Sequence, residues 1–398
     1  RWGRRTFGAL TGAVSAHIRT VSRAGTAVLL AAALLVVVAP TVRAGVIYPE
    51  VPIDGWDTDG IVYVVKIHGN TVYLGGDFSE VRAPGGGTTL PRSNVAAIDL
   101  TSGNVLPFVA DTNSTVKAIE SDGNTVWVGG TFNNVNGEHR SNLAAVDATS
   151  GALKPLDVST NGSVQGLALS GNRLYAGGYF TTVEGVAQQR LASLDPVTGA
   201  PDPQFQANAD AGVRDLAVAA DGRLFAGGFF TTIGNQPFSY LAEINPATGA
   251  GVGPGYEYMI APMLDIDVSP DGAFVFAAVA GFQNRASAWN TFDGERRWYH
   301  RVMGDTQAVS YHDGILYFGF HEGFEGDETL RLLAADVITG ELQDFYPSIN
   351  SFFGVWAIDA ESTGLAIGGE FTVVSEIATK GIACLLYTSP SPRDERRS

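Results

Sequence analysis

The chain has 398 residues and a formal net charge of −16. Residues 45–383 alone carry 16 Lys/Arg against 39 Asp/Glu, a balance of −23; such a surface repels phosphate backbones and anionic lipid, which excludes nucleic acid as a partner. The one cysteine, Cys384, stands near the end of the chain, so a disulfide framework, a thiolate metal site and a cysteine nucleophile are excluded as well.

In chain order, Arg1, Arg4, Arg5, Arg19 and Arg23 precede an uncharged apolar run over residues 27–39, and Val42-Arg43-Ala44 follows it. A basic start, a short apolar core and an A-x-A-like end predict a secretory signal at residues 1–44, cleaved near Ala44, and therefore an exported protein. A membrane span needs ~20 apolar residues. An uncleaved signal anchor is the alternative reading, and no span is expected to remain after cleavage.

Residues 46–56 read as a lone strand ahead of a repeating pattern, which is clearest over residues 164–212. Four short segments there are rich in β-branched and aromatic residues and bounded by Gly, Asn, Asp or Pro, the signature of four successive strands. The second segment ends in Gly177-Gly178. That pair returns as Gly75-Gly76, Gly129-Gly130, Gly227-Gly228 and Gly368-Gly369, with degenerate copies at Ala278-Val279 and Gly319-Phe320.

Successive copies lie 54, 48, 50, 51, 41 and 49 residues apart. Four-stranded units at this spacing predict an all-β fold, a single β-propeller over residues 45–383 with seven blades. The seventh unit, 355–383, is one strand short, so residues 46–56 are expected to complete it and close the ring, removing exposed sheet edges. Residues 384–398 fit no repeat and read as a non-native or disordered Ser/Pro-rich tail. Glycine pairs and Asp-Gly turns such as Asp122-Gly123 and Asp221-Gly222 are explained by close backbone approach and positive φ, without a ligand.

The run Gly177-Gly178-Tyr179-Phe180-Thr181, followed by Leu191-Ala192, Asp195 and Thr198-Gly199, resembles a bacterial exported β-propeller repeat family of unknown function, of the delta-sixty type with kelch-like Gly-Gly strands. The resemblance covers about residues 60–383, and repeats five and six depart from it. It implies a secreted propeller, often joined to binding or adhesion modules, and brings no catalytic residues. Three enzyme patterns are missing. Tryptophans do not recur at one repeat position as in quinoprotein propellers, no Ser-x-Asp-x-Gly-x-Thr-Trp turn marks a sialidase, and no Gly-x-Ser-x-Gly elbow is present.

Departure from a repeat is the pointer to function that remains, since identical units are mostly scaffold. In repeat six, Glu322, Glu325, Asp327 and Glu328 form an acidic loop beside His321, a set of oxygen ligands that could take calcium; a solvated acidic loop explains the same residues. No other cofactor is expected. In repeat five, Trp298, Tyr299 and His300 lie in a basic-aromatic run, which could stack on and hydrogen-bond a glycan; alternatively Trp298 is the packing aromatic that Phe205 is in repeat three. Asp305, His312 and His321 complete the candidate ligand site. The expected function is a secreted, monomeric, non-catalytic scaffold that binds a glycan or protein partner on the rim of the strand two–three loops, residues 348–354 included. The alternative is an extracellular polysaccharide hydrolase or lyase using Asp305, His312, His321 and Glu322, which requires such groups to converge in the central funnel.

Overall fold

Short β-branched and aromatic runs separated by Gly, Asn and Asp turns favour strands throughout. The computed structural model describes residue 45 and residues 47–386, and these are all-β apart from two 310 turns, Pro84–Gly86 and Gly281–Gln283. The expected signal, residues 1–44, lies outside the described residues. No helix among the described residues is long and apolar enough to cross a membrane.

Among the described residues, seven antiparallel sheets of three or four strands built on the repeats follow one another along the chain, beside a small three-stranded sheet of Asp57–Thr58, Glu80–Arg82 and Thr89–Pro91. Their first strands are Ile61–His68, Val116–Ser121, Val164–Ser170, Val213–Val218, Met263–Val268, Thr306–His312 and Gly354–Glu361. Each pairs with a second strand that carries the glycine pair or its substitute. The first strand of each sheet packs against that of the next, and Gly354–Glu361 packs against Ile61–His68.

Sheets that are apolar on both faces cannot share one core. Instead, seven separate clusters fill the wedges between neighbours. Val116 and Phe132 meet Tyr73 and Phe108 between sheets one and two, and Val164 and Phe180 meet Trp127 and Leu156 between two and three. Val62 and Leu74 meet Ala366 and Ile382 between seven and one. Second-strand aromatics reach across to the next sheet's outer turn. Tyr73 Oη donates to the Ala148 carbonyl (2.8 Å), Trp127 Nε1 to Pro196 (2.9 Å) and Tyr175 Oη to Pro246 (2.9 Å).

The glycine pairs are where these wedges are tightest. A Cβ on Gly177 would stand 2.7 Å from Val213 Cγ1, and Gly75, Gly129, Gly227, Gly319 and Gly368 face Val116, Val164, Ile266, Val355 and Val62 at 2.5 to 2.7 Å. Ala278 holds this place in sheet five, and the following sheet begins with Thr306 where the others have Val or Met.

The fourth strands depart from the expected pattern. Sheets two, four and five have them as Leu153–Asp157, Gly251–Val252 and Arg296–Arg301. In sheets one, three and six the fourth strand shrinks to one bridge, Ile98 to Val105, Leu194 to Pro201 and Ala335 to Leu342. Pro107 in the first case, and Pro201 and Pro203 in the second, remove ladder donors. In sheet seven the third strand is Ile382–Leu385, two residues past the boundary expected at Ala383, because Cys384 and Leu385 are both buried. The Cys384 carbonyl accepts the Ile53 N–H (2.9 Å), and the Tyr48 hydroxyl donates to the Glu361 carbonyl, so the segment before sheet one reaches the last sheet without a regular strand over residues 47–56.

Spacing irregularities are also explained. The short interval of 41 reflects sheet five, whose second and third strands are joined by the Gly281–Gln283 turn. The long interval of 54 holds an extra strand, Thr89–Pro91, paired to Glu80–Arg82.

The glycine contact is directly testable. Gly177→Ala should destabilise the fold by about 1–3 kcal/mol through overpacking, and adding Val213→Ala should restore part of the loss. Chemical denaturation of the single and double variants measures both. Additive losses would mean that the two residues do not press on each other.

Candidate functional site

In every first strand the pairing with the second strand slips by one residue at the same place. The unpaired residues are Tyr63, Lys117, Gln165, Arg214, Leu264, Gln307 and Trp356. A bulge re-aims its extra side chain, and all seven line a central channel of about 430 Å3. They sit at the end where the first strands begin, which is also the end of the strand two–three loops.

This mouth is chemically mixed. Lys117 Nζ lies 3.1 Å from the centroid of the Tyr63 ring, and Tyr63 meets Trp356 edge-on at 5.6 Å. Arg214 donates to Gln165 Oε1, and Gln165 Nε2 donates to Ser163 Oγ at 3.0 Å. The Gln307 amide, oriented to satisfy its neighbours, donates to the carbonyls of Phe353 (2.7 Å) and Val355 (2.8 Å). Trp356 Nε1 is buried and has no hydrogen-bond partner among the described residues. Burial, with Arg214 nearby, pulls the Lys117 ammonium down to about 8.

Below the mouth, acidic side chains join consecutive sheets. Asp215 Oδ2 accepts the Ile266 N–H (3.0 Å), and Asp265 Oδ2 accepts that of Val309 (2.8 Å). One level deeper, Asp267 accepts from Tyr311 (2.6 Å) and Val268 (2.7 Å), and Asp359 accepts from Ile67 (2.6 Å). Ser310 Oγ accepts the Ala360 N–H (3.1 Å), and Lys66 pairs with Glu120 at 3.6 Å.

The channel wall desolvates these carboxyls although each is only partly buried. Burial raises Asp215 and Asp265, and the charge of Asp215 raises Asp265 further. Burial also lifts Asp359, and it pushes Asp267 up to about 7. Lys66 is held in its charged form chiefly by Glu120.

The residues singled out in the sequence fall in three separate places. Trp298 is a packing residue between sheets five and six, its indole N–H donating to the Val337 carbonyl (2.9 Å). Tyr299 beside it is exposed, with the Arg296 guanidinium 4.5 Å from its centroid, whereas His300 bonds to the Gly340 carbonyl (2.6 Å) and stacks on Phe318. Asp305, His321 and Glu322 meet at the loop end, His321 Nε2 lying 3.7 Å from Asp305 and Nδ1 3.7 Å from Glu322. His312 is the last residue of the strand that begins at Thr306, roughly 20 Å from Asp305 along extended backbone. The structure brings together Asp305, His321 and Glu322 and leaves His312 at the opposite end.

In the acidic loop, Asp327 accepts the Thr329 N–H (2.8 Å) and hydroxyl (2.7 Å), and the Glu328 carbonyl accepts from Arg331. No group of three or more His, Cys, Asp or Glu among the described residues could hold a metal ion. The mouth and the acids beneath it were not among the sequence candidates. Their signal is one repeat position that reads Tyr, Lys, Gln, Arg, Leu, Gln, Trp while the residue before it is Val in five of the seven copies.

A family model described as a domain of unknown function (DUF5122) beta-propeller matches residues 219–250, the second and third strands of sheet four. That stretch supports a propeller-repeat family of unknown function. Among solved structures, the computationally designed Ika8 protein is similar, with 15% identity, 85% of this chain and 99% of that chain covered, and a TM-score of 0.50. At this identity the likeness concerns the fold alone. No curated protein matches the chain.

The channel acids make a pH prediction. A carboxyl raised in the folded state binds protons that the unfolded chain has already released, so its stabilisation is present at low pH and lost as pH rises through the folded value. The difference in melting temperature between the parent chain and Asp267→Asn should therefore shrink or reverse from pH 5 to pH 8. A constant difference would show that Asp267 is ionised throughout.

Proposed function

We propose that this chain is an exported, seven-bladed, closed β-propeller that binds a glycan at the channel mouth and does not transform it. Seven consecutive sheets, seven wedge cores and the packing of Gly354–Glu361 on Ile61–His68 support the closed ring. Export rests on the pattern of residues 1–44. The observation that carries the binding reading is the set of seven bulges, which aim seven side chains of six residue types into one opening.

Exposed aromatics stand at the same end of the sheets. Tyr179 and Phe229 follow the glycine pairs, Phe282 sits in the sheet-five turn, and Phe352 and Phe353 precede Gly354–Glu361. Antiparallel order puts all of them at the loop end. Aromatic walls with a few convergent polar groups suit a sugar, whose apolar face stacks while its hydroxyls take hydrogen bonds.

Catalysis on a polysaccharide is disfavoured by geometry. Asp305, His312, His321 and Glu322 do not line the channel, where Asp215 and Asp265 stand instead. Each of the two also accepts a backbone N–H from the next sheet, the role of a latch.

The test is calorimetric titration of the full chain with neutral and acidic oligosaccharides. Binding is expected, with Trp356→Ala weakening it about three- to tenfold through lost stacking. Binding that ignores Trp356 would place the ligand on the outer rim, as a protein partner would dock. Absence of oligosaccharide binding by a folded chain overturns the reading.

A further inference from the structure

The mouth holds two cations that this acidic chain leaves without a carboxylate partner. Among the described residues neither Lys117 nor Arg214 closes an ion pair; Lys117 lies over Tyr63, and Arg214 spends a hydrogen bond on the neutral Gln165. Bulges in consecutive first strands aim Lys117, Gln165 and Arg214 at the same opening. Asp77 and Asp215 act on them electrostatically without pairing, and the two cations repel each other. Like charges held together unpaired in a body of net −23 are costly unless something neutralises them. The buried Trp356 N–H, a donor with no acceptor among the described residues, belongs to a side chain of the same ring.

We infer that the channel mouth selects an acidic sugar, a uronic acid residue whose carboxylate is held by Arg214 and Lys117. This rests on the glycan reading above and names its ligand class. A guanidinium takes a carboxylate in a planar two-point contact, with the ammonium as the second charge. The ring's remaining donors and aromatic faces, Gln307, Trp356 and Tyr63, meet the hydroxyls and the apolar face of the sugar. A channel of about 430 Å3 accepts a mono- or disaccharide. A single negative charge fits better than a phosphate dianion, because Asp215 and Asp265 stand directly beneath the cations.

Titration of the full chain with a uronic acid disaccharide, its neutral methyl ester and inorganic phosphate decides the matter. The free acid should bind roughly ten- to hundredfold more tightly than the ester, the yield of a charge-assisted contact. Arg214→Gln and Lys117→Gln should each erase most of that preference, and Lys117→Arg should keep it. Equal affinity for acid and ester would overturn the inference while leaving glycan binding intact. Phosphate binding more tightly than the uronate would overturn it in favour of a general anion site. If neither sugar binds, the glycan reading falls with it. The acid–ester comparison uses the parent chain, so the test stands even where a channel variant fails to fold.

Discussion

Everything in this structure depends on how closely one sheet can approach the next. The first strand of each sheet lies on its neighbour's second strand, and the glycine there leaves room for a valine, methionine or isoleucine from across the wedge. The contact repeats around the chain, so each hydrophobic cluster belongs to two sheets and none is complete in one. Aromatic side chains then tie second strands to outer turns, a polar tie at the periphery that complements apolar packing near the axis.

Near the axis, seven first strands converge and their inward side chains must find partners in a narrow space. Carboxyls solve this by accepting backbone N–H groups from the next sheet, as Asp215, Asp265, Asp267 and Asp359 do. Burial there costs the charged form and raises both Asp215 and Asp265. The deep channel is thus occupied with its own cohesion. The mouth is not. Its cations lack carboxylates and its indole lacks an acceptor, which separates a cohesive lower channel from a receptive upper one.

The side chains that face the channel mouth all come from one repeat position. The bulge is present in all seven first strands, in the degenerate fifth and sixth sheets as well as the regular ones, so it belongs to the backbone and is indifferent to the residue it presents. That freedom lets this position read Tyr63, Lys117, Gln165, Arg214, Leu264, Gln307 and Trp356 around the seven sheets. Departures in the outer loops, such as the acidic run at Glu322–Glu328, change the surface without reaching this opening.

Strand composition, the glycine pairs and their spacing made the all-β repeat legible from the sequence alone, because strand propensity and turn chemistry act within a few residues. Packing aromatics such as Phe205 were legible for the same reason. What only the tertiary structure decided was which side chains share a space. Trp298 takes the packing role of the two that its sequence allowed, and His300 turns against sheet six with it, while Asp305 and His312, seven residues apart, stand at opposite ends of the strand Thr306–His312. Lys117 and Arg214, nearly a hundred residues apart in the chain, face one opening. Pairing register and the slip that creates each bulge depend on the neighbouring strand, and no local pattern in the amino-acid order carries that information.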